Sequence, residues 1–550
     1  MKNSTWAHCL IDQLILQGVC DFCIAPGSRS TPLALAAARH KQARIKVHFD
    51  ERGLGFYALG LSLSQQKPAA LIVTSGTAVG NLLPAVMEAH HSRVPLIILT
   101  ADRPPEHLGC GHTQTTNQTK IFNNFVLWQA DLPCPDEFTS ENFIRSQASE
   151  AVFQAMRMGP VHLNGPFREP LFSMPEQLPN GLSQPIFHPR HSPDPEAVKR
   201  ARQMISDARR GLILIGRLPP NSNLAPIFAL AKQLQWPIMA DLLSSARTQQ
   251  KPNELIIHHD FAIRSKLLPP PDLTIHFGGS FISKALLEWM NKVHVASMHI
   301  DSHIERIDPL HLRPTRICAD PSLFCQALQC PPRQDTLYLN ECQSIDQLIQ
   351  KRFEDTFLSE HPFTEADMMR KLAEHLPKNW SVFFGNSMPI RDAEHFFMAQ
   401  PRSIFANRGL SGIDGQIATA AGIASHTNAP MMAIIGDQSA LHDLNSIALL
   451  RRVHQPFLLV ISNNNGGGIF SRLPVSSEPV HFDQLYTMSH HLNFENIAKM
   501  FNLTYQSSLL NWEDLFRHPK PTVLEVFTSH KENAGIEIKI LQNCMASIHT

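Results

Sequence analysis

A chain of 550 residues is too long for one hydrophobic core, and a prior of roughly 150 residues per domain predicts three or four domains. Hydrophobic residues at 43% and charged residues at 17% are the composition of an ordinary globular protein. Lysine and arginine (48) balance aspartate and glutamate (48), so net charge gives no argument for nucleic acid or a membrane surface as partner.

The first element is "MKNSTWAHCLIDQLILQGV", in which Cys9, Leu10, Leu14, Ile15 and Val19 recur at helical spacing and predict an amphipathic helix. It has no basic segment, continuous apolar core or small-residue cleavage site of a secretory leader. Along the chain, no apolar run approaches the ~20 residues that span a bilayer. The expectation is a soluble cytoplasmic protein without membrane insertion. Cys20 and Cys23 form a CxxC that lacks both a helix start and a second pair, so they read as packed or surface thiols in a reducing compartment. The 29 histidines are scattered and form no tract of metal-ligand spacing.

From there one rhythm repeats: a short apolar run, a turn of Gly, Ser, Asp or Asn, then a helical pattern. "DFCIAPGSRSTPLALAAA", "AALIVTSGTAVGNLLPAVMEA" and "VPLIILTADRPPE" carry it in the first segment. Seven prolines between Pro170 and Pro195 exclude helix and central strand there and mark a linker. The second segment has "GLILIGRLPP", "WPIMADLLSS", "LTIHFGGSFISKALLEWM" and "VASMHIDSH", and a weaker break falls at "CPPRQDTLYLNECQS", Cys330 to Ser344. "WSVFFGNSMPIRDAEHFF", "PMMAIIGDQSALHDLNSIALL" and "PFLLVISNNNGGG" follow in the third. Continuous apolar strands alternating with helices predict three consecutive α/β domains with mostly parallel sheets, over 1–175, 190–335 and 345–550. In such sheets ligands sit outside the carboxyl ends of the strands, so the turns are where chemistry is expected.

One pair of turns stands out. The run "MMAIIG" ends in Asp437-Gln438-Ser439, where a helix opens, and Asn464 follows 27 residues later in "SNNNGGG". Asp437 alone reads as a helix cap. One helix and one strand return the chain to the same sheet edge, however, so Asp437 and Asn464 are expected to be neighbours. A carboxylate, an amide oxygen and a carbonyl of the glycine turn are hard ligands suited to Mg²⁺. The helix start and the N–H groups of the glycine turn are expected to hold an anion, so the ligand is expected to be phosphorylated.

This "GD…NN" pattern resembles the diphosphate-and-metal motif of thiamine diphosphate enzymes, with Gln438 where Gly is common. In "HFDERGLGFYALGLS", Glu51 follows a predicted strand and matches the glutamate that hydrogen-bonds the cofactor's aminopyrimidine in that family. The longer words "CIAPGSRSTPLALAAA", "HFDERGLGFYALGL", "TSGTAVGNLLPAVMEA", "LTADRPPE", "GNSMPIRD", "NRGLSGIDGQIATAAGIA" and "NNNGGGIFSRLP" are similar to one branch of it. That branch is the synthase family of menaquinone biosynthesis. The likeness is dense in the first and third segments and thin in the middle one.

The resemblance implies a pyrimidine-binding, a central and a diphosphate-binding domain, in a dimer or tetramer whose active sites lie between chains. It implies thiamine diphosphate with Mg²⁺ (or Mn²⁺) on Asp437, Asn464 and the Gly466 carbonyl. Glu51, Ile413, Gln438, Ser439 and Ile469 are then the remaining cofactor contacts, with Glu51 catalytic as the start of a proton relay. Ile413, between Gly412 and Gly415, reads equally as a core residue on the sequence alone. The implied reaction is decarboxylation of 2-oxoglutarate and conjugate addition of the product carbanion to isochorismate. Both substrates are dicarboxylates, so arginine forks are expected to hold them. Arg29, Arg103, Arg391 and Arg408 match such positions, Ser28, Gln114 and Ser387 match polar contacts, and Phe470 and Leu473 with Ile469 match an apolar wall. Lys284 matches too, but Ala285 stands where the family commonly has arginine. His90 and His91 read as cations ending a helix rather than as a catalytic pair. A simple 2-oxo acid decarboxylase or an acetohydroxyacid synthase would share Glu51, Asp437 and Asn464 without needing the four arginines. A binding protein that merely kept the fold would need none of them.

Overall fold

Three six-stranded sheets, parallel at every ladder, follow one another along the chain. The computed structural model describes residues 2–174, 179–182, 185–220, 222–248, 251–293, 295–507 and 512–546. The first sheet contains β1 (Asp21–Ile24), β2 (Arg44–Val47), β3 (Ala69–Val73), β4 (Leu96–Asp102), β5 (Trp128–Asp131) and β6 (Pro160–Pro166), in the order β2-β1-β3-β4-β6-β5. The second contains β7 (Gly211–Ile215), β8 (Ile238–Ala240), β9 (Leu255–Ile256), β10 (Leu273–Phe277), β11 (Ala296–Asp301) and β12 (Thr315–Cys318), in the order β12-β11-β10-β7-β8-β9. The third contains β13 (Ser381–Phe384), β14 (Ser403–Phe405), β15 (Met431–Gly436), β16 (Phe457–Asn463), β17 (Thr504–Gln506) and β18 (Thr522–Phe527), in the order β14-β13-β15-β16-β18-β17. Each order reverses near the middle of its sheet, between β1 and β3, β7 and β10, and β13 and β15. Those reversals open the crevices where ligands of doubly wound sheets bind.

The expected three-domain α/β architecture is thus present, with one correction at a boundary. The stretch from Cys330 to Ser344 is not a linker throughout, because a 22-residue helix, Leu337–Leu358, begins inside it. Its Cys342, Ile349 and Phe353 enter a core shared by the second and third domains, and that burial outweighs the polar look of "LNECQS". The proline-rich stretch 170–195 lies partly outside the described residues. Cys20 and Cys23 are free thiols, the latter fully buried in β1. Among the described residues no helix is long and apolar enough to cross a membrane.

The third sheet organises the other two domains. Side chains alternate across a strand, and in β15 Met431, Ala433 and Ile435 face a core shared with the first domain. Met432 and Ile434 between them face the core shared with the second. The first-domain contact is centred on two helices, Glu51–Gln65 and Gln416–Thr427. Gly415 abuts Phe56, and one turn further along both helices Gly60 abuts Thr419. The two helices therefore run side by side in the same direction, which places Glu51 and the Ile413 turn at the same end.

Asp443 ties this contact to the third sheet, accepting from Ala418 N (3.0 Å) and from Ser446 Oγ (2.6 Å). Burial pushes its carboxyl up from 3.8 to about 6. A folded-state value above the unfolded one means that the stability contributed is full below about pH 4 and is lost as pH rises through 6. The stability gap between wild type and Asp443→Asn should therefore be largest near pH 4 and shrink up to pH 7. Urea midpoints of both proteins across that range check this, and a gap independent of pH would contradict it.

Candidate active site

At the carboxyl end of β15, Asp437 begins a six-residue helix, Asp437–His442, and is buried. Its Oδ1 accepts from Gln438 N at 2.6 Å, and its Oδ2 accepts from Gly466 N at 2.8 Å and faces His490 Nε2 at 3.1 Å. β16 pairs with β15, Gly436 opposite Ser462, so the turn after β16 returns to Asp437 as the spacing predicted. Gly466 has φ +135°, and a Cβ there would lie 2.2 Å from the Thr487 carbonyl oxygen, so this turn requires glycine.

Asn464 is buried within the same turn. Its Nδ2 donates to Glu365 Oε1 at 2.8 Å, whereas its Oδ1 is buried without a hydrogen-bond partner. An orphaned buried amide oxygen beside a carboxylate fits a hard cation, and the Gly466 carbonyl adds a third oxygen. Among the described residues no group of three His, Cys, Asp or Glu side chains could hold a metal, so these mixed oxygens are the natural candidate.

The anion-binding expectation for the glycine turn needs correction. Asn465 N donates to Asn463 Oδ1, Gly467 N to the Thr487 carbonyl and Gly468 N to the Gly466 carbonyl, while Gly466 N serves Asp437. Those N–H groups hold the loop itself, and a phosphorylated ligand would meet the cation instead. Gln438, where Gly is common, sends Nε2 to the Thr487 carbonyl at 3.0 Å and ties the same loop down. Ser439 is buried beside it.

The next strand ends along the edge supply guanidinium groups. Ser387 (φ +69°) caps the helix Met388–Phe396 after β13, and its carbonyl accepts from Arg391 Nη1. Arg408, after β14, donates to Asn386 Oδ1 at 3.0 Å. Burial, and then Arg391, lowers the pKa of Arg408; burial likewise lowers that of Arg391, with Arg472 adding to the effect. Two like charges on one edge, Arg391 and Arg408, favour an anionic ligand, whereas Arg472 is already paired with Glu537. Ile413 is 37% and Leu473 44% exposed, Ile469 and Phe470 are half-buried, and the Phe470 ring packs 5.5 Å from Tyr486.

The first sheet gathers the other predicted residues at its own carboxyl edge. Ser28 and Arg29 follow β1, Glu51 follows β2, and Arg103 follows β4. Gln114 (φ +55°) donates Nε2 to the Ser75 carbonyl at 3.0 Å, just after β3. Arg29 is 2% exposed and donates to the Phe167 carbonyl at 2.8 Å; burial and then Arg103 lower its pKa. The Nε atoms of Arg29 and Arg103 are buried without partners, two donors left over beside each other. Glu51 accepts from Asn81 Nδ2 at 3.5 Å. Among the described residues the hydrogen bonds of Glu51 and those of Asp437 share no residue, although the neighbouring Asp50 accepts from Asn445 Nδ2 and Arg52 donates to the His442 carbonyl, just beyond Asp437.

Two readings are not gathered in. Lys284 starts the helix Lys284–Val293 of the middle domain with its side chain 86% exposed and paired to Glu288 at 3.3 Å, apart from both arginine groups. His90 ends the helix Leu83–Ser92, but burial, and then His91, lowers its pKa, so it is a neutral ring rather than a helix-end cation. Glu365 and His490 carried no sequence signal, whereas Arg472 stands within the word "NNNGGGIFSRLP". Arg472 and Arg264 of the middle domain both pair with Glu537, a bridge between the domains. Burial, and then Glu365 beside it, pushes the Asp392 carboxyl well up.

This fold and edge chemistry match known proteins along most of the chain. The thiamine pyrophosphate enzyme N-terminal TPP binding domain matches residues 4–121, the middle domain 183–384, and the C-terminal TPP binding domain 387–526. The chain therefore belongs to the thiamine diphosphate enzymes. A protein of Bacillus velezensis is 38% identical over 516 residues, covering 90% of this chain and 88% of its own length. One from Rubrobacter xylanophilus is 35% identical over 98% of each chain, and one from Histophilus somni 36% identical over 100% of this chain and 96% of its own. All three are named 2-succinyl-5-enolpyruvyl-6-hydroxy-3-cyclohexene-1-carboxylate synthase. Within the thiamine diphosphate enzymes, this chain is a member of that synthase family.

Proposed function

We propose that this chain decarboxylates 2-oxoglutarate and adds the resulting carbanion to isochorismate. The product is 2-succinyl-5-enolpyruvyl-6-hydroxy-3-cyclohexene-1-carboxylate, with release of CO₂. The observation that carries this reading is the third-sheet edge, where an orphaned oxygen of Asn464 beside Asp437 lies on the same edge as Arg391 and Arg408. Asp437, Asn464 and the Gly466 carbonyl would hold Mg²⁺ or Mn²⁺, and Ile413, Gln438, Ser439 and Ile469 would line the cofactor. Thiamine diphosphate, when bound, supplies the electron sink that lets a 2-oxo acid lose CO₂.

The protein's share is positioning, charge and one proton. Arg391 and Arg408, with Ser387, would fork substrate carboxylates at the third sheet, and Arg29 and Arg103, with Ser28 and Gln114, at the first. Phe470, Ile469 and Leu473 would keep water from the reacting carbon. Glu51 would hold the proton at the aminopyrimidine ring. Following the resemblance to the family, we place the complete site between two chains of a dimer or dimer of dimers. We place Lys284 at the substrate only within such an assembly. A cytoplasmic location accompanies this reading.

The test is to incubate the protein with Mg²⁺, thiamine diphosphate and 2-oxoglutarate, with and without isochorismate. Coupled product is expected only with both substrates. Succinic semialdehyde in both arms, with no coupled product, would refute the second half-reaction.

A further inference from the structure

The side chain of Asn464 has two faces that differ in chemistry but scarcely in shape. An amide oxygen can ligate a hard cation and an amide NH₂ cannot, yet rotation by half a turn exchanges them. Something must choose between the two, and the candidate is Glu365. Its Oε1 accepts from Asn464 Nδ2 at 2.8 Å and from Ser462 Oγ at 2.6 Å. A carboxylate only accepts, so it binds the NH₂ face and leaves Oδ1 turned the other way, buried and without a partner.

Glu365 is itself held firmly. It is 4% exposed in the first turn of the helix Glu365–His375, which begins with a capping box between Thr364 and Asp367. Its N–H donates to Asn533 Oδ1 at 2.9 Å, which anchors it to the last helix of the chain, His530–Ala546. A side chain locked at both backbone and carboxylate can impose an orientation on a neighbour. A freely rotating one could not.

We propose that Glu365 is a positioning residue that fixes the amide of Asn464 with Oδ1 toward the divalent cation. This rests on the reading of Asp437, Asn464 and Gly466 as the cation cradle. Glu365 touches neither cation nor substrate and acts through Asn464. Ser462, bonded to the same oxygen, keeps that carboxylate from turning away.

The test is the affinity of the full-length protein for Mn²⁺ at saturating thiamine diphosphate, read from the electron paramagnetic resonance of free Mn²⁺. Glu365→Leu should weaken Mn²⁺ by about 10- to 100-fold, the usual consequence of losing a group that orients a ligand. Glu365→Gln, which still offers an amide oxygen to both donors, should restore most of the affinity. The decisive comparison uses Asn464→Asp, whose two equivalent oxygens need no orienting. In that background Glu365→Leu should leave Mn²⁺ binding unchanged or tighter. Equal weakening in both backgrounds, or no weakening with Asn464 present, would overturn the proposal. Should Glu365→Leu fail to fold, Glu365→Asp, which withdraws the carboxylate by one methylene, serves in its place. If Asn464→Ala itself left Mn²⁺ binding intact, the cradle reading would fail instead, so the two failures are told apart.

Discussion

Glu51→Gln should lower turnover by about 10²- to 10⁴-fold, the range supplied by a positioned proton-transfer group. Glutamine keeps the size and the hydrogen-bonding oxygen of glutamate but cannot exchange the proton. Binding of thiamine diphosphate, measured by calorimetry, should therefore change little, because the cation cradle sits on another domain. Loss of turnover with retained binding is the expected split. Full activity of Glu51→Gln would remove Glu51 from the proton relay, and equal loss of binding and turnover would make it a docking residue.

The second large effect is on the contact between the first and third domains. In a helix, Gly→Ala is ordinarily worth roughly 0.5–1 kcal/mol of stabilisation. At Gly60 the sign should reverse, because a Cβ would lie 2.1 Å from the Thr419 carbonyl oxygen, and backbone cannot move aside as a side-chain tip can. Gly422 meets the Tyr57 carbonyl oxygen at the same 2.1 Å from the opposite helix. Gly60→Ala or Gly422→Ala should each cost about 1–3 kcal/mol, the usual price of overpacking. Gly535, inside the helix His530–Ala546 with nothing within 4 Å of its would-be Cβ, is the control. Gly535→Ala should raise the urea midpoint while Gly60→Ala lowers it. Equal shifts for the two would mean that the helices separate at little cost.

Legibility in the sequence followed locality. Asp437 and Asn464 could be paired in advance because a βαβ unit returns the chain to the same edge, and the β15–β16 register bears that out. Ser28, Arg29, Arg103, Ser387, Arg391 and Arg408 could be placed at strand ends for the same reason: a turn after a buried apolar run has one location. Later strands of each sheet were harder. β6 contains His162, Asn164 and two prolines, and β17 is three residues long, so neither shows an apolar run. The helix Leu337–Leu358 was read in part as a linker because its apolar residues answer to a core built from two domains.

What was not legible depends on atoms far apart in the chain. Glu365 reaches Asn464 across 99 residues, and His490 reaches Asp437 across 53, with no spacing rule connecting either pair. The N–H groups of the glycine turn looked free in the sequence. In the fold they are spent on Asp437, Asn463 and the Thr487 carbonyl.

By itself the sequence determined the alternation of buried strand, turn and helix, and with it the residues standing at the carboxyl ends of strands, since both follow from periodicity over a few residues. Only the tertiary structure decided the strand orders, the side-by-side course of the helices Glu51–Gln65 and Gln416–Thr427, and which face of the Asn464 amide is left open. Those depend on close packing between segments far apart in the chain, where a backbone oxygen 2.1 Å from a missing Cβ or one carboxylate oxygen sets the arrangement.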